Sequence, residues 1–274
     1  MKILKSYPKV LTIAGSDSGG GAGIQADLKT ISALGCYGTS AITAVTVQNT
    51  LGVSNIHPVP VDIVKEQIEA VLSDIGTDAV KIGMLHSVKI IEAVKNVLKE
   101  YKPAFIILDP VMVAASGDKL IEDDTIEVMI KELFPLATVI TPNLDEAAII
   151  AGMPVKTQED MIRAAKKILS YGSRSVLVKG GHLPGNKLFD IFLTNKDSCP
   201  LIMENKKIQS HNIHGTGCTL SSAIASLLAK GESLEQAVKK GIVYVHTAIE
   251  RGKNYKTGNG HGPVNHFFAP KKLK

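Results

Sequence analysis

Short apolar runs alternate with stretches of helical periodicity along almost the whole chain of 274 residues. The apolar runs are rich in Val, Ile and Leu and end at Gly, Asp or Asn, as buried strands do. In the stretches between them, apolar residues recur every three or four positions, which is typical of helices with one buried face. Strands that alternate with helices form a parallel sheet covered by helices on both faces. The pattern therefore predicts an α/β fold, and we expect one domain over residues 1–274.

The same periodicities place the individual elements. Predicted strands cover residues 10–14, 41–47, 79–82, 105–108, 138–140 and 176–178, with antiparallel edge strands over 188–193 and either 201–203 or Ile208. Predicted helices cover residues 24–34, 61–72, 88–98, 121–133, 144–151, 157–169, 217–228 and 233–250.

Charge and composition limit the classes of function. The formal net charge is +5, but Lys271, Lys272 and Lys274 at the end of the chain supply three of these charges. Trp is absent and aromatic residues make up only 4% of the chain, which disfavours a surface that stacks nucleobases. No other dense basic run and no membrane-length apolar run occurs in the sequence. We therefore expect neither a nucleic-acid nor a membrane partner.

The cysteines and the first residues bear on the compartment. Three cysteines, Cys36, Cys199 and Cys218, are too few and too scattered for a disulfide framework or a metal finger. Pro8 and Lys9 interrupt the first apolar stretch before a signal-peptide core can form. Both observations favour a reducing compartment, and we expect a cytoplasmic protein.

A glycine-rich segment follows the first predicted strand. It runs over residues 15–23 as GSDSGGGAG and lacks both the Gly-Lys-Ser/Thr ending of a Walker loop and the spacing of a dinucleotide-binding fingerprint. Five glycines in nine positions favour a loop whose backbone approaches a ligand closely, although a tight strand-to-helix turn is the alternative. Asp27 lies one helical turn further on, where it either contacts the ligand or faces solvent.

Polar residues follow other strands, and ligands bind at the carboxyl ends of parallel strands. The amide of Gln48 offers a donor and an acceptor to an aminopyrimidine edge, or it caps a loop. Asn143 and Glu146 share a helical face and suit Mg²⁺ held through water, although together they also form a helix capping box. Lys179, before two glycines, can neutralise phosphate charge.

The most informative local motif is the turn HGTGC over residues 214–218, which opens an apolar helix. A glycine-flexed turn at a helix N-terminus directs several N–H groups and the helix dipole toward one point, where an anion can bind. Cys218 lies where that dipole would lower its pKa, or it is a small buried residue. His211 and His214 lack a third ligand at suitable spacing, so we do not expect a metal site there.

Taken together, these segments resemble the ribokinase-type small-molecule kinases, and specifically the hydroxymethylpyrimidine and phosphomethylpyrimidine kinases of thiamine biosynthesis. The resemblance runs almost end to end. Its motifs are TIAGSDSGGGAGIQADLKT, TAVTVQNTLGV, KIGML, LDPVMVAASGD, ITPNLDEA, LVKGGH, HGTGCTLSSAIA and GHGPVNHF. It implies a three-layer α/β/α fold with a mostly parallel sheet, ATP and Mg²⁺ as cofactors, a small pyrimidine substrate and a homodimer.

The resemblance also implies roles for the matching positions. The pyrimidine pocket would be lined by Gly15, Asp27, Gln48 and Met84, with Gln48 paired to the ring edge. The residues facing ATP and Mg²⁺ would be Asn143, Glu146 and Lys179, with Asp109 nearby and the ion held mainly through water and phosphates. The anion hole would be formed by Gly215, Thr216 and Gly217. Cys218 stands where many relatives, including pyridoxal kinases, carry an aspartate that acts as catalytic base.

One position departs from the family pattern. Ala115 stands where the family usually has Lys in a segment thought to act as a flap, which puts a phosphate contact from that flap in question. Cysteine at 218 favours the hydroxymethylpyrimidine branch, while a pyridoxal kinase remains the alternative enzyme. A nucleotide sensor without catalysis and a dinucleotide oxidoreductase are the alternatives from other classes. The sequence does not decide whether one or both phosphorylation steps occur.

Overall fold

The computed structural model describes residues 5–112, 124–181 and 185–273. These residues form the strands β1 (Lys9–Asp17), β2 (Tyr37–Asn49), β3 (Gly52–Pro58), β4 (Ala79–Ile82), β5 (Ile106–Leu108), β6 (Val139–Ile140), β7 (Ser175–Val178), β8 (Lys187–Thr194) and β9 (Leu201–Lys206). They also form the α-helices α1 (Gly23–Ala33), α2 (Val61–Ala70), α3 (Val88–Tyr101), α4 (Thr125–Glu132), α5 (Leu144–Ala151), α6 (Gln158–Leu169), α7 (Thr216–Ala229) and α8 (Leu234–Gly252).

All nine described strands belong to one sheet, in the order β3-β2-β1-β4-β5-β6-β7-β8-β9. The six central strands, β2-β1-β4-β5-β6-β7 in sheet order, pair in parallel. The edge strands pair antiparallel, β3 at one edge and β8 and β9 at the other. The predicted mostly parallel α/β sheet is confirmed. Of the two candidates for the second edge strand, 201–203 is part of β9 and Ile208 lies beyond it.

Successive residues of the central strands point to opposite faces, and each face has its own core. Leu11, Val80 and Ile140 pack with helices α2 to α6 on one face. Val10, Ala79 and Val139 pack with α1, α7 and α8 on the other. Burial on both faces explains why these strands are continuous apolar runs without polar alternation.

Two local features differ from the sequence prediction. β3 was not predicted, because its seven residues include three polar ones and no apolar run, and four of them are exposed, as an edge strand tolerates. Helix α2 ends at Ala70 and continues as one π-helical turn over Val71–Ile75, where the pattern predicts regular helix to 72. The predicted helix over 121–133 is observed as α4, and its first three residues lie outside the described ranges.

Candidate active site

A cavity of about 850 Å³ opens at the carboxyl edge of the parallel strands. Its wall includes ten of the twelve residues predicted for the site: Gly15, Gln48, Met84, Asn143, Glu146, Lys179, Gly215, Thr216, Gly217 and Cys218. Because parallel strands all end at this edge, residues far apart in sequence converge here. The two other predicted residues, Asp27 and Asp109, are buried behind the wall.

The turn before α7 has the geometry expected of an anion cradle. Gly215 caps the helix with φ +80°, a left-handed conformation that favours glycine. The N–H of Thr219 bonds the carbonyl of Gly215, and the N–H of Thr216 bonds the carbonyl of Ile213. The N–H groups of Gly217 and Cys218 therefore lack an intrahelical acceptor and belong to the positive end of the helix dipole.

Lys179 and Asp109 form an ion pair beside that turn. Lys179 Nζ lies 3.0 Å from Asp109 Oδ1, and a Cβ built on Gly217 would lie 3.3 Å from both Lys179 Nζ and Asp109 Oδ2. Asp109 is 1% exposed and also accepts a hydrogen bond from Thr141 Oγ1. Burial raises the pKa of Asp109, but Lys179 and Lys81 outweigh it and hold the pKa below its ordinary value. Asp109 thus lies behind Lys179 as its counter-ion.

Asn143 and Glu146 form the capping box that the sequence allowed. Asn143 Oδ1 accepts from the N–H of Glu146 at 2.9 Å, and Glu146 Oε2 accepts from the N–H of Asn143 at 2.7 Å. Burial raises the pKa of Glu146 to about 7, with Lys179 acting in the opposite direction. Since both residues also line the cavity, capping α5 and facing a ligand are compatible.

Another part of the cavity wall is built from β1, β2 and Met84, the second residue after β4. A Cβ on Gly15 would lie 2.6 Å from Met84 Cε, so a larger residue there would displace the end of the Met84 side chain at this wall. Gln48 lies near the end of β2, and its side chain contacts Thr46 Oγ1 at 3.1 Å and His214 Nε2 at 3.4 Å. The glycine loop over residues 15–23 therefore contributes a tight backbone wall, as its composition predicts.

Asp27 does not reach the cavity wall. Its carboxylate accepts from Thr12 Oγ1 at 2.6 Å, Lys81 Nζ at 2.8 Å and Ser222 Oγ at 2.7 Å, and its side chain is fully buried. The structure thus contradicts the alternative of a solvated helix face, and the substrate contact of Asp27 stays a prediction. A buried carboxylate needs paired donors, and three protein groups provide them here.

The expected acidity of Cys218 is wrong. Burial raises the pKa of its thiol to about 11, while the charge of Lys81 and a hydrogen bond from the backbone of Gly23 act in the opposite direction. Desolvation of a thiolate thus outweighs the favourable position at the start of α7. Cys218 is half-buried and is a neutral thiol at neutral pH in the ligand-free protein.

Three functional residues escaped the sequence prediction. Asp17 ends β1 and accepts N–H groups of Gly19 and Ala22, each at 2.8 Å. His214 Nε2 lies 2.9 Å from Asp17 Oδ2. Lys81 is fully buried and also lines the cavity. A lysine within a short apolar strand was the available signal for Lys81, because such a charge requires a buried partner.

The far side of the cavity has an apolar wall. It includes Ile242, Val245 and Ile249 from one face of α8, together with Ile213 and Leu220. The spacing along α8 is helical, so these side chains lie above one another and form a continuous surface. An apolar wall beside a few polar groups is typical of sites for small molecules with rings.

Several other predictions concern metal ions, membrane spans and residues outside the described ranges. Among residues 5–112, 124–181 and 185–273, no group of three or more His, Cys, Asp and Glu side chains is arranged to hold a metal ion. The described helices include none long and apolar enough to cross a bilayer. Ala115 and the final residue of the LVKGGH motif, His182, lie outside the described residues.

Comparisons with known proteins agree with this geometry. The chain is 49% identical over 259 residues to the hydroxymethylpyrimidine/phosphomethylpyrimidine kinase of Rhizobium meliloti, covering 94% of this chain and 96% of the relative. It is 46% identical over 265 residues to a thiamine biosynthesis bifunctional protein of Geobacter sulfurreducens, covering 97% of this chain. The chain spans only 53% of that relative, about half its length.

A solved structure shares the fold. The pyridoxal kinase of Staphylococcus aureus in complex with AMP-PCP superposes with a TM-score of 0.87 at 38% identity, covering 96% of this chain and 95% of the other. The phosphomethylpyrimidine kinase family model matches residues 17–265, which include most of the glycine loop, the Asn143–Glu146 box and the turn before α7. This chain therefore belongs to the phosphomethylpyrimidine kinase family.

Proposed function

We propose that this chain phosphorylates 4-amino-5-hydroxymethyl-2-methylpyrimidine, its monophosphate or both in thiamine biosynthesis, with ATP as the phosphate donor. The observation that carries the proposal is the meeting of the turn before α7 with Lys179 in one cavity, whose wall also includes Gly15, Gln48 and Met84. We further propose that residues 1–274 act as one kinase domain.

The anion cradle is proposed to stabilise the transferring phosphoryl group. In phosphoryl transfer, charge spreads over the equatorial oxygens, and fixed donors that face those oxygens lower the barrier. The N–H groups of Gly217 and Cys218 and the ammonium of Lys179 provide such donors within one short stretch of wall. The apolar wall along α8 suits the adenine of ATP.

Mg²⁺ is proposed to accompany ATP. The oxygen donors of Asn143 and Glu146 fit an ion that keeps several waters and takes few protein ligands. When bound, the ion would offset charge on the phosphates. Glu146 already faces the cavity. Burial destabilises its ionised carboxylate and raises its pKa to about 7, so a cation bound beside it would stabilise the ionised form.

Cys218 is proposed to orient the substrate hydroxyl. A neutral thiol can donate and accept weak hydrogen bonds, and a loose transition state needs little proton removal before the phosphoryl group moves. The hydroxyl proton then passes to a phosphate oxygen late in the step, or to the sulfur if Cys218 has first released its own proton to water and become a thiolate. Cys218→Ala should reduce kcat by about 10²–10⁴-fold if the sulfur receives the proton. An unchanged kcat would leave catalysis to the N–H groups and Lys179.

Three substrates separate the proposal from its alternatives. ADP release is measured with hydroxymethylpyrimidine, its phosphate and pyridoxal, and kcat/KM is compared. We expect the pyrimidines to be preferred, because Gln48 offers both a donor and an acceptor to an aminopyrimidine edge. A higher kcat/KM for pyridoxal would favour the pyridoxal kinase activity of the Staphylococcus aureus relative. MgATP binding without turnover of any substrate would favour a nucleotide sensor.

The expected homodimer also stays a proposal. Val45 and Val47 lie two residues apart on the same face of β2 and are 47% and 58% exposed. Leu51, just after β2, is 69% exposed. A second copy of the chain would cover these apolar side chains. Light scattering after size exclusion should give twice the monomer mass, and Val47→Glu should shift the protein toward the monomer. A wild-type monomer at all concentrations would contradict the proposal.

A further inference from the structure

Gln48 belongs to a chain of polar side chains that runs from β2 to the glycine loop. The chain is Thr46, Gln48, His214 and Asp17. His214 Nε2 is 2.9 Å from Asp17 Oδ2 and 3.4 Å from the nitrogen end of the Gln48 amide, and Thr46 Oγ1 is 3.1 Å from the oxygen end. Asp17 and His214 are nearly excluded from solvent, at 2% and 9% exposure.

The position of the His214 ring is fixed from several sides. A Cβ on Gly21 would overlap the ring, so the glycine loop packs directly on it. The backbone N–H of His214 donates to the backbone carbonyl of Gly262 at 3.1 Å. The ring is therefore held between the glycine loop and the C-terminal segment, with Nε2 directed at both Asp17 and Gln48.

The donors and acceptors of this chain can be assigned. Asp17 is an acceptor only, because it is ionised and also accepts from the N–H groups of Gly19, Gly21 and Ala22. His214 Nε2 must then carry the proton and donate to Asp17. A protonated Nε2 cannot accept from an amide NH₂, so it requires the oxygen of Gln48 in that place.

The other end of the amide requires the same orientation. Thr46 Oγ1 donates its only proton to the carbonyl of Ser16 at 2.8 Å. It can then only accept from Gln48, which requires the amide nitrogen on that side. With oxygen toward His214 and nitrogen toward Thr46, the one hydrogen on His214 Nε2, donated mainly to Asp17, also faces an acceptor, and Thr46 accepts from the amide nitrogen. With the reverse orientation, two donors meet at one end and two acceptors meet at the other.

We propose that the Asp17–His214 pair is a positioning pair that fixes the orientation of the Gln48 amide and thereby selects substrates with an exocyclic amine next to a ring nitrogen. The inference rests on the proposed function, because it deepens the role of Gln48 there. One N–H and one lone pair of the amide remain for the ligand, in a fixed order along the cavity wall. Such an edge matches an aminopyrimidine and does not match the phenol edge of pyridoxal.

Preorganisation is the physical reason for the selectivity. A free glutamine side chain loses rotamer freedom when it binds, and its amide can present either end to a ligand. A fixed amide binds the matching edge without that loss, and a ligand that lacks the matching pair leaves a buried donor or acceptor unpaired. His214 immediately precedes the Gly215 turn, so the same residue links the ring-binding wall to the anion cradle.

The test is a double-mutant cycle on binding, with His214→Phe and Gln48→Leu. His214→Phe keeps ring volume and removes the donor. We expect its Kd for hydroxymethylpyrimidine, measured by calorimetry, to rise roughly 3- to 30-fold, while KM for ATP changes by less than about twofold. In the Gln48→Leu background the same substitution should change the Kd by less than about twofold, because its effect passes through the amide.

The opposite results overturn the inference. An equal rise in Kd in the Gln48→Leu background would mean that His214 acts through packing alone. An equal loss of affinity for pyridoxal would remove the claim on selectivity. If His214→Phe does not fold, Thr46→Val removes the acceptor at the other end of the amide and completes the same cycle. The cycle measures binding and needs no turnover. If it gives the expected Kd values but the protein does not phosphorylate hydroxymethylpyrimidine, the proposed function is refuted and the role of the Asp17–His214 pair is not.

Discussion

Two lysine–aspartate pairs of almost equal geometry lie near the cavity, and they differ in their access to it. Lys81 Nζ is 2.8 Å from Asp27 Oδ2, and both side chains are fully buried. Lys179 Nζ is 3.0 Å from Asp109 Oδ1, but its side chain is 16% exposed. The first pair lies between β4 and α1, and the second spans the ends of β7 and β5.

The difference in exposure implies a difference in role. Asp27 is held by two hydroxyl donors as well as by Lys81, and it lies behind the cavity wall that Lys81 helps to form. Both side chains are fully buried, so the pair has little freedom to exchange partners. Asp109, which also accepts from Thr141, pairs with Lys179 from one side, and Lys179 also lines the cavity. We infer that the first pair maintains the structure beneath Cys218, while the second can share its charge with a phosphate.

The largest effect is expected from breaking the enclosed pair. Lys81→Met leaves the carboxylate of Asp27 without a counter-ion in the protein interior, and it should lower the free energy of unfolding by about 3–5 kcal/mol. Urea denaturation followed by circular dichroism measures the change. Adding Asp27→Asn removes the uncompensated charge and should restore part of the loss. A single variant as stable as the wild type would mean that water reaches this pair.

Breaking the cavity pair should affect catalysis more than stability. Lys179→Met removes a donor that faces the phosphates, and kcat should fall by about 10²–10³-fold. The loss of stability should be smaller than for Lys81→Met, because water can enter the cavity beside Asp109. The matched control is Lys187→Met, whose lysine is 64% exposed and paired with Glu204 outside the cavity. A kcat within about twofold of the wild type would exclude Lys179 from the chemistry.

Glu146 adds a pH-dependent test of the cavity side. Burial raises its pKa from 4.5 to about 7, so between these values the folded state binds a proton that the unfolded state has released. Its contribution to stability therefore falls as pH rises through this window, by at most about 1.4 kcal/mol per pH unit. Glu146→Gln should become more stable relative to the wild type from about pH 5 to pH 7, and level off above. A difference that stays constant with pH would contradict the raised pKa.

These pairs also show how much of the molecule the sequence could predict. Strands and helices follow from local periodicity, and the run over residues 79–82 coincides with β4. The cavity wall follows from a rule about where parallel strands end. Lys179 and the turn before α7 were found because each follows a strand or opens a helix. The edge strand β3 contains no apolar run, so local periodicity does not predict it.

Contacts between distant residues could not be predicted. His214 and Asp17 are 197 residues apart, and nothing local to either residue indicates the other. Asp27 has apolar neighbours in sequence, which is compatible with either burial or exposure until Lys81 and Ser222 are placed around it. The predicted lowering of the Cys218 pKa was wrong for a similar reason. Its position at a helix start is a local feature, whereas the burial that dominates its pKa depends on the whole fold.

An ion pair on the protein surface should give the smallest change in the free energy of unfolding of the pairs compared. Lys239 Nζ lies 2.5 Å from Glu235 Oε1 on α8, and the two side chains are 40% and 56% exposed. Water solvates both charges in the folded and unfolded states, so Lys239→Met should change the free energy of unfolding by less than about 0.5 kcal/mol. The same urea titration measures it beside Lys81→Met. A loss as large as that of the enclosed pair would mean that distance alone sets the value of these ion pairs, and the distinction drawn from exposure would have to be abandoned.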